Sequence, residues 1–306
     1  MALPYDQITA ISQNEFLPLL VDNVFTSNVA WINMEEHKEH EDGGPKIIQA
    51  LISAKGTAES FSGYQVLDTT STEEFTAAEF ERRHYHRSVV ISRDEEIKNS
   101  GANQVVSLVE AKIKNAEVSL RDLFGDDLYA DGGATSIDGL ADVVSATSTY
   151  GGIAVADMAT WVAVSTTITG NVGLDDIAKL IDDLTIGQER PSILITRAAI
   201  YRRVVSLMQS QQRYGDGKET KDVYYGWSGV YFYGIPLVWD HKCPSGEVYG
   251  LNLNWIHWRP YRGEEFYFKP FQEPTNQRVH VAGIFTSGNI TCSQRRMQGK
   301  LTGITE

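Results

Sequence analysis

Ile137–Trp161 reads IDGLADVVSATSTYGGIAVADMATW. Gly139–Leu140 opens it, a tract of small and hydroxyl residues follows, then Gly151-Gly152-Ile153, and a lone tryptophan closes it. Three readings compete: a phosphate-cradling loop, a flexible linker, or a shaped surface that packs against something else. The first makes the chain an enzyme and the last makes it a building block. A dinucleotide loop needs G-x-G-x-x-G directly after a strand, and Gly151-Gly152 has neither that spacing nor a strand before it. Glycine and small residues let backbones approach closely, and Trp161 supplies one large apolar anchor. Packing is therefore favoured.

Upstream of this stretch lies the clearest helical pattern in the chain. Val105, Val109, Ile113, Ala116, Leu120 and Leu123 recur at spacings of 4, 4, 3, 4 and 3, with Lys112, Lys114, Glu117 and Arg121 opposite. The pattern predicts a helix over 102–124, stopped by Gly125, a rod about 33 Å long at about 1.5 Å per residue. Val109, Ile113 and Leu120 are expected to face the core. Before it, Ser92 and Glu95 have capping-box spacing for a short helix over Asp94–Asn99. Residues 1–34 show no sustained period and read as an extended arm with a short helical piece. EEHKEHEDGGP (35–45) reads as a solvated, turn-rich charged run. KIIQALISA and AAEFERRHYHRSVVIS read as two extended runs around a polar tip, a long hairpin whose partner is expected on another chain.

Downstream, GLDDIAKLIDDL predicts an amphipathic helix, SILIT a buried strand, and RAAIYRRVVSLMQSQQ a further helix, together a small α/β layer. From Tyr224 the chain reads mostly as strands and turns, the strands in VYFYGIPLVWD, EVYGLNLNWIHW, EFYFKPF and RVHVAGIFTSGNITCS. No internal repeat or low-complexity tract is present.

The formal net charge is −13. That disfavours a nucleic-acid binder, whose affinity comes from neutralising phosphates. The acidity is uneven: residues 1–80 carry 3 Lys and 13 Asp+Glu, against 24 Lys+Arg and 27 Asp+Glu in the remainder. Two cysteines, Cys243 and Cys292, make no disulfide framework and point to a reducing compartment. The opening residues lack the basic start of a signal peptide, and no apolar run approaches the length of a membrane span.

No catalytic constellation emerges. Gly215, Gly217 and Lys218 hint at a phosphate loop, but Gln212 stands where the first glycine belongs and Glu219 follows the lysine. Ser228 in GWSGV lacks the final glycine of a nucleophile elbow. His37 and His40 among Glu36, Glu39 and Glu41 offer metal ligands, but on a run short of hydrophobic support. His84 and His86 share a strand face, but Arg83 and Arg87 flank them and repel a cation. No cofactor and no metal are expected, and the chain is read as not an enzyme.

The order of parts carries a resemblance. GYQVLDTTSTEEFTAAEF in the long loop, SRDEEIKNSG before the helix, LFGDDLYADGGATSIDGLADVVS after it, then STYGGIAVADMATW, FYGIPLVWDHKCPSGEVYGLN and GNITCSQRRMQGKLTGI follow one another. In that order they resemble the tailed-phage major capsid protein with the Hong Kong 97-type fold, over nearly the whole chain. The match looks nearest to a branch with GGI…W after the long helix, although Val162-Ala163-Val164 departs from the residues that branch often carries there.

The resemblance implies an α+β fold with an N-terminal arm (1–35), an extended β-hairpin loop (36–91) and a peripheral domain (92–173) with the spine helix at 102–124. An axial α/β domain (174–306) follows, its C-terminal strands partly returning to the peripheral domain. It implies a structural shell subunit that forms hexamers and pentamers around double-stranded DNA. The implied partners are further copies of itself, a separate scaffolding protein, a portal protein, and packaged DNA bound without sequence specificity; no membrane is implied. The implied location is the virion capsid, assembled in the host bacterial cytoplasm. Intersubunit contacts are expected at Tyr64, Leu67, Asp68, Glu73, Glu74, Gly151, Gly152 and Trp161, and Lys46 and Lys55 are the loop lysines available for cross-linking. Arg295, Arg296 and Lys300 form the basic cluster expected on an inner wall. An encapsulin-like cargo shell shares the fold, and a soluble enzyme using the aromatic C-terminal lobe as a pocket is the rival from another class.

Overall fold

The structure, a computed structural model, describes residues 28–56, 58–67, 69–70, 73–98, 108–209, 230–275 and 277–305. Outside them lie most of the arm, Asp68, the first turns expected of the long helix, and the phosphate-loop and elbow candidates Gly215, Gly217, Lys218 and Ser228. In chain order the elements are α1 (Val29–Glu36), β1 (Lys46–Ile52), β2 (Phe75–Glu81), β3 (Arg83–Ser92), α2 (Arg93–Lys98), α3 (Leu108–Tyr129), α4 (Leu140–Val143), β4 (Val164–Gly170), α5 (Leu174–Leu184), β5 (Ile193–Thr196) and α6 (Ala198–Gln209). Then come β6 (Val230–Phe232), β7 (Ile235–Trp239), β8 (Val248–Leu251), β9 (Ile256–Pro260), β10 (Tyr267–Gln272), β11 (Val279–Cys292), a 3₁₀ turn (Arg295–Met297) and β12 (Gly299–Ile304).

Helix and strand are mixed, and three sheets form. β1 and β2 make a two-stranded ribbon, β10-β11-β3 with β9 on β11 make a four-stranded sheet, and β4-β12-β8-β5-β7-β6 make a six-stranded one. α3 packs on the four-stranded sheet through Ala116, Leu120, Phe124 and Leu128, one row at i, i+4 spacing and all buried. α5 and α6 cover one face of the six-stranded sheet with Ile177, Leu180, Leu184, Ile200 and Val204 against Leu194, Leu237, Val248 and Leu301. The opposite face, with Ile193, Ile195, Tyr249 and Leu251, joins the core around α3.

Four expectations change. α3 does not stop at Gly125 but runs to Tyr129. Gly125 is there for space: a Cβ would lie 2.4 Å from Asn28 Nδ2, the residue that caps α1 through Trp31 N. Within the helix, Leu120 is buried and Ile113 packs half-buried against the core, but Val109 and Leu123 are 42% and 43% exposed. The packed row is the one running through Phe124 and Leu128, which turns Leu123 outward. The second extended run is two strands, because the inward set changes parity at Arg82: Ala78 and Phe80 face in along β2, then Tyr85, Val89 and Ile91 along β3. β2 pairs with β1, whereas β3 joins β11. Finally, the charged run after α1 is held along β9 rather than standing free. Glu39 N donates to Trp258 O at 2.9 Å, Glu41 N to Pro260 O at 3.0 Å, and Arg259 meets Glu39 at 2.6 Å. The capping box at Ser92 forms, with Ser92 N donating to Glu95 Oε2 at 3.3 Å and Asp94 N to Ser92 Oγ at 3.3 Å.

Candidate functional site

The β1–β2 ribbon carries a long connection over residues 53–74, and its two faces differ. The inner face sets Ile47 opposite Phe80 and Gln49 opposite Ala78, and Ile47, Ala78 and Phe80 are buried against the body. The outer face sets Lys46 opposite Glu81, Ile48 opposite Glu79, Ala50 opposite Ala77 and Ile52 opposite Phe75. Ile48, Ile52 and Phe75 are exposed there, as are Phe61, Tyr64, Val66 and Leu67 in the connection. One ion pair, Lys46–Glu79 at 2.7 Å, tops this face. A two-stranded ribbon in water is marginal alone, and contiguous apolar exposure marks an interaction surface.

The body holds the ribbon at its root by the stretch around Gly151. Tyr150 and Ile153 exchange backbone hydrogen bonds at 3.2 Å around a two-residue turn with φ +59° at Gly151 and +76° at Gly152. Both central residues are left-handed, as in the tight turns that favour Gly-Gly. A Cβ on Gly151 would lie 2.7 Å from Ala78 Cβ and 3.0 Å from Phe80 Cζ, so only glycine lets the turn touch β2. Glu79 N then donates to Gly151 O at 2.9 Å. Behind the turn, Trp161 stacks on Tyr150 with centroids 6.1 Å apart, and its Nε1 donates to Tyr150 O at 3.0 Å. Tyr150 OH donates to Ile290 O at 3.1 Å, and burial pushes its pKa well above the ordinary phenol.

Arg295 lies beneath this turn, with 0% of its surface exposed. Its Nε donates to Val143 O at 3.0 Å, Nη1 to Trp161 O at 3.1 Å, and Nη2 to Asp142 O at 2.8 Å and Ser145 O at 3.0 Å. The guanidinium carbon sits 5.1 Å from the Tyr150 ring centroid. Burial lowers the pKa of Arg295 from its usual value, and a ring of carbonyl dipoles with aromatic faces solvates the buried charge in place of water.

A second polar cluster fastens the start of β3. Tyr85 OH donates to Asp127 Oδ2 at 2.6 Å and accepts from Ile137 N at 2.9 Å. Asp138 N donates to Asn289 Oδ1 and Asn289 Nδ2 returns a bond to Asp138 Oδ2, both at 2.9 Å. Burial raises the Asp138 pKa, with the Asn289 bond and the nearby Arg83 opposing it.

The expected contact residues therefore separate. Tyr64 and Leu67 stand exposed, with Glu73 and Glu74 at the foot of the connection. Trp161 is 2% exposed and Gly151 is pressed onto β2, so both pack within the chain; of the three expected there, Gly152 is the exposed one. The basic cluster separates too: Arg295 is internal, Lys300 pairs with Glu247 at 3.3 Å, and Arg296 donates to Asp183 O at 3.4 Å. Sequence reading misses Arg295 because an Arg-Arg pair in a polar segment reads as surface, and misses Tyr150 as one of many aromatics. Lys46 is in the Glu79 pair. Among the described residues no group of three or more His, Cys, Asp or Glu side chains could hold a metal ion. His40 instead meets Glu265 at 2.7 Å, and the His86 ring lies 4.5 Å from that of Phe285. Cys243 and Cys292 are buried and are not joined in a disulfide. In the aromatic C-terminal lobe Tyr249, Trp258 and Tyr261 are core residues, whereas Tyr231, Tyr233, Trp239 and Tyr267 stand exposed. No helix among the described residues is long and apolar enough to cross a membrane.

By sequence, no family model and no curated protein matches the chain. By structure, it is similar to the capsid subunit of cyanophage A-1(L), with a TM-score of 0.78 at 14% identity over 96% of this chain and 97% of that one. It is similar to the SrpI encapsulin of Synechococcus elongatus PCC 7942, with a TM-score of 0.66 at 11% identity over 99% and 96%. It is also similar to the capsid of a native GTA particle, with a TM-score of 0.64 at 9% identity over 95% and 96%. At such identities the likeness is one of fold: the chain has the fold of phage capsid and encapsulin shell subunits.

Proposed function

We propose that this chain is the major capsid protein of a tailed phage, a structural subunit that assembles as hexamers and pentamers into an icosahedral shell around double-stranded DNA. The observation that carries the reading is the ribbon: a chain with the capsid fold projects an element whose outer apolar row stands exposed among the described residues. In this reading α3 is the spine of a peripheral domain over 92–173, residues 174–306 form the axial domain, and residues 36–91 are the loop that reaches a neighbour. Tyr64, Leu67, Glu73 and Glu74 contact that neighbour. The net charge of −13 suits a wall that holds DNA without gripping it. A separate scaffolding protein and a portal complete the assembly in the host cytoplasm. The similarity to SrpI favours a second reading, a cargo-holding shell without a genome.

Electron microscopy and sizing of the purified protein test the proposal. Capsomers or closed shells are expected, and a chain that stays a lone subunit at every concentration refutes both shell readings. Nuclease-protected DNA inside particles from infected cells selects the phage reading; particles filled with a protein cargo select the other.

A further inference from the structure

We infer that Arg295 is a positioning residue for the β1–β2 ribbon: it sets the angle at which the ribbon leaves the body, acting through the Tyr150-Gly151 turn. The route is a series of direct contacts. Arg295 is fixed to the six-stranded sheet by its own flank, since Gln298 and Asn252, both fully buried, exchange bonds: Asn252 N donates to Gln298 Oε1 at 2.8 Å and Gln298 Nε2 to Asn252 O at 3.1 Å. From that mount the guanidinium reaches carbonyls of Asp142, Val143, Ser145 and Trp161 and lies against the Tyr150 ring. The residues it binds are up to 153 positions away in sequence. Tyr150 leads into Gly151, which touches Ala78 and Phe80 and accepts from Glu79 N. Each step is a buried contact or a hydrogen bond, so a displacement at residue 295 arrives at the ribbon root.

Chemistry supports a positioning role over a general contribution to the core. The five planar N–H groups of arginine fork in fixed directions, and here they reach carbonyls on five separate residues, Asp142, Val143, Ser145, Ser148 and Trp161. A lysine would keep the charge but present one nitrogen. The seat combines small residues, Ala141, Ser145, Ala146 and Ser148, with the buried side chains of Val143, Tyr150 and Trp161. The arginine ties the backbone between them together from below.

The inference rests in part on the ribbon being the element that meets a neighbour, and the test separates the two. Amide hydrogen exchange is measured on the full-length chain kept dissociated, for wild type, Arg295→Lys, Gly151→Ala and Gly152→Ala. Gly152→Ala is the control: its φ is equally left-handed, but a Cβ there meets nothing within 4 Å. Arg295→Lys and Gly151→Ala are expected to speed exchange in 47–51 and 76–81 by about tenfold, the scale of one lost buried hydrogen bond. Gly152→Ala should do so less, and β5 and β8 should keep their protection in all three. Unchanged ribbon exchange in Arg295→Lys overturns the inference, and so does an equal rise in β5 and β8, which marks a merely structural arginine. If Arg295→Lys is insoluble, the glycine pair decides: equal effects from the two alanines overturn the route through Gly151. Normal shells from a variant with a loosened ribbon leave the positioning role intact and count against the ribbon as a neighbour contact.

Discussion

Replacing Phe124 by alanine should unfold the subunit far more readily than the same change one residue earlier. Phe124 is fully buried, stacked on Trp31 with centroids 4.6 Å apart and planes at 9°, tilted against Tyr85 at 4.4 Å, and edge-on to Trp258 at 5.5 Å. A core Phe→Ala change costs about 3–5 kcal/mol through lost burial and the cavity left behind. These three aromatic contacts and a fourth, with Phe266 at 6.3 Å, each worth about 0.5–1.5 kcal/mol beyond area, place this site at the upper end, about 5 kcal/mol. At the lower edge of about 2 °C per kcal/mol for a large domain, the melting temperature should fall by about 10 °C. Leu120→Ala, on the same row, should cost about 2–5 kcal/mol. Leu123→Ala should stay within about 0.5 kcal/mol, because that side chain already stands in solvent. Calorimetry on dissociated subunits reads all three, free of any contribution from assembly. Equal shifts at 123 and 124 would rotate the helix by one residue and refute the packing described for α3.

Three further outcomes are expected. Burial raises the Asp138 pKa, so the folded protein holds that proton more tightly than the unfolded chain does; acidification through the range just above ordinary carboxylates therefore favours folding at this site, and stability is lost as the pH rises through it. Asp138→Asn should abolish that component, so the wild-type-minus-variant difference in melting temperature should fall as the pH rises through this range, and a difference that stays flat with pH would reject it. Cys292, buried with its thiol pushed up to about 12, should resist alkylation in the native protein and react only on unfolding; fast native labelling would contradict its burial. Limited proteolysis should cut within 56–67 in free subunits and spare those residues in assembled particles, and equal cutting in both would deny the connection an intersubunit role.

Much of the architecture can be read from residue patterns, and the failures have physical causes. α5 and β5 are legible because an amphipathic period and a fully apolar run are strong local signals. β4 and β12 escape notice: VSTTITG and GKLTGI alternate small, polar and apolar residues, and only pairing with each other and with β8 makes them strands. The parity change at Arg82 is visible in the residues, yet it acquires meaning only once β3 has β11 to pair with. Gly125 reads as a stop by local rules and is a close-approach site by tertiary ones. At the site, Gly151-Gly152 signals a shaped turn, but what the turn presses on depends on β2, far away in sequence. Arg295 is the least legible, because burial of a charge is decided by carbonyls of a distant loop and leaves no local mark.

The strand order of the six-stranded sheet has a kinetic consequence. β12 lies between β4 and β8, and Thr302 in it meets Thr167 in β4 across 135 residues of chain. The strand that joins β4 to the other four comes after all of them in the sequence. Until it docks, β4 has no sheet neighbour and β8 presents a bare edge, the kind of surface that recruits strands from other molecules. Contacts of such separation form slowly, because the loop must close before any bond rewards it. Soluble yield should therefore depend on how fast Gly299–Ile304 reaches its slot.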